Sequence, residues 1–243
     1  MTLSLIYKVL LGPVLLAQGR RLRRTALRLA EAAGERSGLV AVESPEPELR
    51  LLFVGDSTMA GVGVRHQSAA LGSQVACLLG ERLGRSIRWQ MVAKSGLNTR
   101  QALEFVRDRE LSPAHVLITA LGTNDVTSQR KLSEFLADSA ALVDGIMGKV
   151  GARFAVMSGL PPLHLTPATP QPLRWYLGRY AHVLDHGLQR WTASQFNVSY
   201  VSLQWASDPG DMAEDGFHPG ERLYTAWAHL LADNIADHLS RVV

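Results

Sequence analysis

Hydrophobic and polar positions divide the chain into short apolar runs and longer stretches with helical spacing. Each short run ends at glycine or polar residues, which is typical of buried strands in a parallel sheet. The strand candidates are 51–54, 87–93, 115–121, 154–157 and 198–203. The helix candidates, with apolar residues three and four apart, are 68–83, 99–107, 131–150, 173–196 and 221–238. This alternation predicts βαβ units and a parallel sheet covered by helices on both faces.

The length of 243 residues fits one large α/β domain with an N-terminal extension. Residues 1–30 form an arm that is apolar at first and then basic. Residues 31–48 are rich in Gly, Glu, Ser and Pro, which indicates a surface linker. The predicted catalytic domain therefore spans residues 49–243.

The arm allows two interpretations. Its apolar stretch contains Lys8 and Pro13 and is shorter than the ~20 residues of a membrane span. Its arginines follow the apolar stretch, whereas a secretory signal carries its positive charge before it. The arm either packs on the domain or a partner subunit, or lies on an anionic membrane surface. We favour membrane-surface contact through residues 1–28, and expect a cytoplasmic protein at the inner face of the membrane.

Charge and composition narrow the function classes further. The net charge of +3 is too small to indicate a nucleic-acid partner, and much of the basic excess lies in the arm. Cys77 has apolar neighbours and is interpreted as a core residue. His182 and His186 are four apart without a third ligand, so we predict no metal site. Composition leaves the oligomeric state open.

Polar residues and a glycine follow four of the predicted strands. Ser57 follows the first, Gly96 the second, Asn124 the third, and Asp215 with His218 the fifth. Because the carboxyl ends of parallel strands meet at one edge of a sheet, we expect these residues to converge on one cleft. A serine in this position is also a favoured helix N-cap. The convergence favours a nucleophile over a cap.

This set of residues suits acyl transfer. A serine hydroxyl becomes a useful nucleophile when a base takes its proton, and histidine is suited to that task. Ser57 is the candidate nucleophile and His218 the base, with Asp215 orienting the imidazole from three residues upstream. The backbone N–H groups of Ser57 and Gly96 and the amide of Asn124 are candidate oxyanion donors.

Four sequence blocks together resemble the SGNH/GDSL hydrolase family. They are G-D-S at 55–57, a lone Gly96, G-x-N-D at 122–125 and D-x-x-H at 215–218, in the family's order. Thr58 stands where leucine is common, at a position that packs behind the nucleophile. The resemblance implies a flavodoxin-like three-layer α/β/α sandwich with a five-stranded parallel sheet. It also implies esterase, lipase, thioesterase or carbohydrate-deacetylase activity without a metal or other cofactor, with the roles given above.

The loop after the fourth strand is the candidate for substrate specificity. Its prolines stiffen residues 159–172, and its leucines offer apolar surface at the predicted catalytic edge. Alternatively, these leucines cover the adjacent helix. The predicted acyl pocket consists of Met59, Val62, Leu160, Leu163, Leu165 and Phe217.

The sequence therefore predicts a serine ester hydrolase that cleaves short- to medium-chain acyl esters through an acyl-enzyme on Ser57. One alternative is a carbohydrate deacetylase. The other is a non-catalytic, membrane-associated binding module on the same fold.

Overall fold

The computed structural model describes residues 2–242, with side chains from 10 to 241. Each predicted strand and helix is present, with ends shifted by a few residues. The prediction that Cys77 is a core residue was wrong, because Cys77 lies on the exposed side of its helix. The helices are α1 (Thr2–Thr25), α2 (Leu71–Leu83), α3 (Thr99–Arg107), α4 (Thr123–Thr127), α5 (Leu132–Val150), α6 (Leu173–Thr192) and α7 (Glu221–Val242). The strands are β1 (Ser37–Val40), β2 (Leu49–Gly55), β3 (Ile87–Ala93), β4 (Val116–Ala120), β5 (Phe154–Ser158) and β6 (Val198–Val201).

The sheet has the strand order β1-β3-β2-β4-β5-β6, with β2 to β6 parallel. The parallel part has the order 2-1-3-4-5 of flavodoxin-like folds, as predicted. The prediction of five strands was wrong, because β1 adds a sixth strand antiparallel to β3. This strand lies within the predicted linker. Its short S-G-L-V sequence alternates between exposed and half-buried residues, so it lacks the apolar run that marks a central strand.

Helices cover both faces of the sheet. Leu51 and Phe53 of β2 contribute to the core shared with α2 and α7. Leu52 and Val54 point the other way, into the core shared with α3, α5 and α6. Because successive side chains of a strand face opposite ways, a strand buried on both faces is apolar at each of these positions. This double burial fixes β2 at the centre of the molecule.

Helix α1 packs on the start of α6. Leu15 is buried in the second core, with Leu11 and Leu22 packed beside it. The Gln18 amide donates to the carbonyl of Gln171 at 2.7 Å, and its oxygen accepts from the N–H of Leu173 at 3.1 Å. The arm therefore contacts the domain along one helix face.

Among residues 2–242, no helix is both long enough and apolar enough to cross a membrane. Met1 and the side chains of residues 2–9 belong to the predicted arm but lie outside the described part of the chain.

Two loops from distant parts of the chain pack together at Gly63. This glycine has a φ of +106°, and a Cβ there would lie 2.1 Å from the carbonyl oxygen of Pro219. Tyr224 of α7 reinforces the contact, because its buried hydroxyl lies 2.8 Å from the carbonyl oxygen of Thr58 and 2.7 Å from that of Val62. The loop after β2 is thus held against the segment that enters α7.

We predict that Gly63→Ala lowers the free energy of unfolding by at least about 3 kcal/mol, because it adds backbone strain and a clash with a carbonyl group. The matched control is Gly84→Ala. Gly84 also has a positive φ, of +58°, but open space surrounds its position, so we expect a cost of about 1–2 kcal/mol. Urea denaturation of both variants measures the difference. Equal losses would contradict the prediction, because they would show that the close approach of Pro219 does not restrict this position.

Candidate active site

Three side chains form a continuous hydrogen-bonded line at the carboxyl edge of the sheet. Ser57 Oγ lies 2.9 Å from His218 Nε2, and His218 Nδ1 lies 2.5 Å from Asp215 Oδ2. The other carboxylate oxygen, Asp215 Oδ1, accepts the backbone N–H groups of Phe217 and His218, each at 3.0 Å. The D-G-F-H turn therefore fixes the carboxylate on one imidazole nitrogen and leaves the other facing the serine.

The electrostatics of Asp215 favour its ionised form. Its burial acts to raise the pKa, but hydrogen bonds from the imidazole and backbone of His218 and from the backbone of Phe217 outweigh burial and lower the pKa. A carboxylate that stays charged can stabilise an imidazolium on His218. The three residues therefore have the order and charge that a base-activated serine requires.

Hydrogen-bond donors lie beside the serine. Among the described residues, no acceptor pairs with the backbone N–H of Ser57 or of Gly96. Both residues line the cleft that contains His218. The Asn124 amide also lines it, and donates to Asp56 Oδ2 at 3.0 Å and to the carbonyl of Leu97 at 3.1 Å. The backbone N–H groups of Ser57 and Gly96 are thus unpaired. Both hydrogens of the Asn124 amide, the predicted side-chain donor, are already bonded to acceptors.

The linker holds the loop that carries Gly96. Glu31 accepts the backbone N–H of Ser95 at 2.8 Å and its hydroxyl at 2.6 Å. The other oxygen of Glu31 forms an ion pair with Arg36. Burial acts to raise the pKa of Glu31, but the bonds from Ser95 and Arg36 outweigh it and lower the pKa. A segment predicted as a simple linker therefore positions a candidate oxyanion donor.

The cleft around Ser57 has a volume of about 350 Å³. We call it the Ser57 cleft. Its apolar lining includes Leu27, Leu29, Val62, Leu163, Leu203, Trp205 and Phe217. Three residues of the predicted acyl pocket, Val62, Leu163 and Phe217, line this cleft. The cleft is mostly apolar, and Ser57, His218 and Gly96 are also part of its lining.

Three other predicted pocket residues lie elsewhere. Met59 is fully buried, because the turn after Ser57 directs its side chain against Gly55 in the core. Leu160 is also fully buried, its N–H bonded to Asp185 and its side chain packed at Gly122. Leu165 is half-buried and does not line the cleft. For these three residues the acyl-pocket prediction was wrong.

Sequence reasoning also missed part of the cleft. Leu27, Arg28 and Leu29, just beyond the end of α1, line it. They are far from the strand-end loops in sequence, and no local pattern marks them. Only the path of the arm across the domain brings them to the cleft.

Comparison with known proteins gives the family. Residues 53–238 match the model of the GDSL-like lipase/acylhydrolase family, which is more than half of the chain. The chain belongs to this family. Among curated proteins, a sequence comparison finds no match.

Solved structures of similar fold are esterases and lipases of low sequence identity. A lipase from a goat rumen metagenome is 17% identical, with a TM-score of 0.59 over 75% of this chain and 95% of that one. A psychrotrophic esterase from Pseudoalteromonas is 17% identical, with a TM-score of 0.59 over 79% and 98%. A family 3 carbohydrate esterase from Clostridium thermocellum is 18% identical, with a TM-score of 0.60 over 81% and 99%. At these identities the likeness establishes the fold alone.

The aspartate of this GDSL chain's first block, Asp56, is buried beside the serine. It accepts the N–H of Thr58 at 3.1 Å and the Asn124 amide. Burial raises the pKa of the Asp56 carboxyl to about 6, although its two donors and the nearby His218 favour the charged form. Asp125 accepts the backbone N–H and hydroxyl of Thr99. Asp56 therefore holds the turn after β2, and Asp125 holds the first residue of α3.

We predict that Asp56 makes stability fall as pH rises from about 4 to about 6. In the unfolded chain its carboxyl loses a proton near 3.8, and in the folded protein near 6, so the folded state binds more protons in this window. Two pKa units correspond to about 3 kcal/mol. Because part of this change is complete by pH 4, Asp56→Asn should gain about 2–2.5 kcal/mol in free energy of unfolding relative to the wild type between pH 4 and pH 7.

Urea denaturation across this pH range measures the gain. Asp108→Asn, at an exposed carboxyl, is the control. A difference between Asp56→Asn and the wild type that stays constant with pH would contradict the prediction.

Proposed function

We propose that this GDSL-family chain is a serine ester hydrolase that cleaves short- to medium-chain acyl esters through an acyl-enzyme on Ser57. The observation that carries the proposal is the unbroken line from Asp215 through His218 to Ser57, beside unpaired N–H donors. The family match agrees with the proposal, and so do the similar solved structures, which include an esterase and a lipase.

The geometry supports the following reaction. Ser57 Oγ attacks the ester carbonyl carbon while His218 Nε2 takes its proton. The carbonyl oxygen becomes an oxyanion that accepts the N–H groups of Ser57 and Gly96. The bond to the alcohol then breaks, and His218 gives its proton to the leaving oxygen. Water repeats the sequence on the acyl-enzyme, which releases the acid and restores the serine.

Asn124 joins the oxyanion donors under this proposal. Its amide has two hydrogens, directed in the resting protein at Asp56 and at the carbonyl of Leu97. The developing oxyanion competes for one of them, and the charged Asp56 carboxylate orients the amide for this exchange. Asp56 is therefore a positioning residue in the proposed mechanism.

The lining of the cleft favours acyl esters over sugar acetates. Apolar side chains from the arm, the loop after β5 and the segment before α7 surround the serine. A carbohydrate deacetylase is the second candidate, and Trp205, which lines the cleft with 37% of its surface exposed, favours it as a surface for a sugar ring. A non-catalytic binding module is disfavoured because each candidate catalytic position carries a suitable residue.

We predict that Ser57→Ala abolishes both hydrolysis of p-nitrophenyl butyrate and labelling by a fluorophosphonate. Each reaction requires the serine oxygen as nucleophile. Ser194→Ala, at an exposed serine, is the control and should retain both. Labelling or turnover that persists in Ser57→Ala would refute the role of this serine. Faster release of acetate from acetylated xylan than from butyrate esters would select the deacetylase.

The outer face of α1 supports a contact with an anionic membrane surface. Leu10 and Val14 are 72% and 46% exposed, and Arg21 and Arg24 continue the same helix face toward the C-terminal end. Apolar side chains beside arginines suit the boundary between acyl chains and anionic headgroups. We propose that the arm rests there through this face.

We predict that Arg21→Glu/Arg24→Glu lowers binding to phosphatidylglycerol vesicles by at least about tenfold, since each basic residue near such a surface contributes about 1 kcal/mol. Arg190→Glu/Arg241→Glu makes the same change in net charge at exposed positions outside the arm, and should bind like the wild type. Cosedimentation measures both. Wild-type binding that is equal for phosphatidylglycerol and phosphatidylcholine would count against the contact.

A further inference from the structure

A second cavity lies between α1 and the domain. It has a volume of about 960 Å³ and lies within the size range of ligand pockets, about 300–1,000 Å³. We call it the arm groove. Leu15, Leu16 and Leu22 line it from the arm, and Leu173 and Leu177 line it from α6. Its lining is predominantly apolar, and it also includes Arg20 and Arg23 of α1 and the polar residues 127–129 of the domain.

The arm groove adjoins the Ser57 cleft. Phe217 and Asn124 line both cavities. The Phe217 ring meets the His218 ring edge-on, with centroids 5.4 Å apart, so the shared wall stands directly beside the candidate base. A molecule whose ester lies at Ser57 thus has a second apolar space beyond this wall.

We propose that the arm groove holds the distal part of a long acyl chain whose ester carbonyl lies at Ser57. The inference rests on the proposed ester hydrolysis and extends its substrate class. Short and medium acyl chains lie within the Ser57 cleft. The end of a longer chain extends beyond Phe217 into the groove. An acyl chain is the occupant because it is the part of an ester substrate that matches an apolar space directly adjoining the cleft.

Two glycines of α1 provide a way to fill the groove. Gly12 and Gly19 line it, and a Cβ at either position would meet nothing within 4 Å. A larger side chain therefore enters the groove without a clash at its base. Leucine is also a better helix former than glycine, so we expect α1 to keep its fold.

The test compares a twelve-carbon with a four-carbon ester. Gly19→Leu should lower the ratio of kcat/KM for p-nitrophenyl laurate to that for p-nitrophenyl butyrate by at least about tenfold, since one methylene in an apolar pocket already changes discrimination by about that factor. Gly148→Leu is the matched control, because Gly148 lies on the exposed face of α5 with open space around it. An unchanged ratio, or an equal loss for both esters, would overturn the inference.

A binding measurement separates this inference from the proposed function. In a Ser57→Ala background, calorimetry with laurate should give a Kd at least about tenfold higher when Gly19→Leu is added, and no change when Gly148→Leu is added. If no variant hydrolyses either ester but this loss of binding occurs, the proposal of hydrolysis is wrong and the assignment of the groove as an acyl-chain site is supported. If the esters are cleaved but Gly19→Leu changes neither the ratio nor the Kd, the groove assignment fails alone.

Discussion

The hydrogen bond between Ser57 and His218 joins residues 161 positions apart, and the fold around the cleft keeps its two atoms within reach. A base activates a nucleophile only when both stay at hydrogen-bond distance. Strand β2 holds the serine loop because it is buried on both faces of the sheet. The Tyr224 hydroxyl and the contact of Gly63 with Pro219 then hold that loop against the turn that carries the histidine.

The donor side of the cleft depends on carboxylates that hold neighbouring loops. Asp125 joins the loop after β4 to the start of α3, Asp56 holds Asn124, and Glu31 holds Ser95. Each carboxylate bonds to groups of a segment distant in sequence, so each fixes one loop relative to another. Burial opposes the charge of Asp56, as its raised pKa shows. The compact set of hydrogen-bond donors beside Ser57 therefore comes with an electrostatic cost in stability.

The sequence predicts the parts of this molecule that carry strong local patterns. The apolar runs identify the parallel strands, and the polar residues after them converge because parallel strands end at one edge. Other features of the fold and the cleft depend on which segments, distant in sequence, lie beside each other in the structure. Strand β1 is a short edge strand defined by its pairing with β3, and Leu27 reaches the cleft through the path of the arm. Met59 is close to Ser57 in sequence, but the turn directs it into the core.

Three faces of helix α1 meet different environments. Leu15 and Gln18 attach it to the domain, Leu10 and Val14 are exposed, and Gly19 borders the groove. A helix attached along one face has fewer buried contacts than the sheet, and such elements open at the lowest free energy. An acyl chain in the groove would contact the arm only while the arm is docked on the domain. If the groove holds an acyl chain as proposed, substrate binding and arm docking stabilise each other, since a ligand shifts an equilibrium toward the state it binds better.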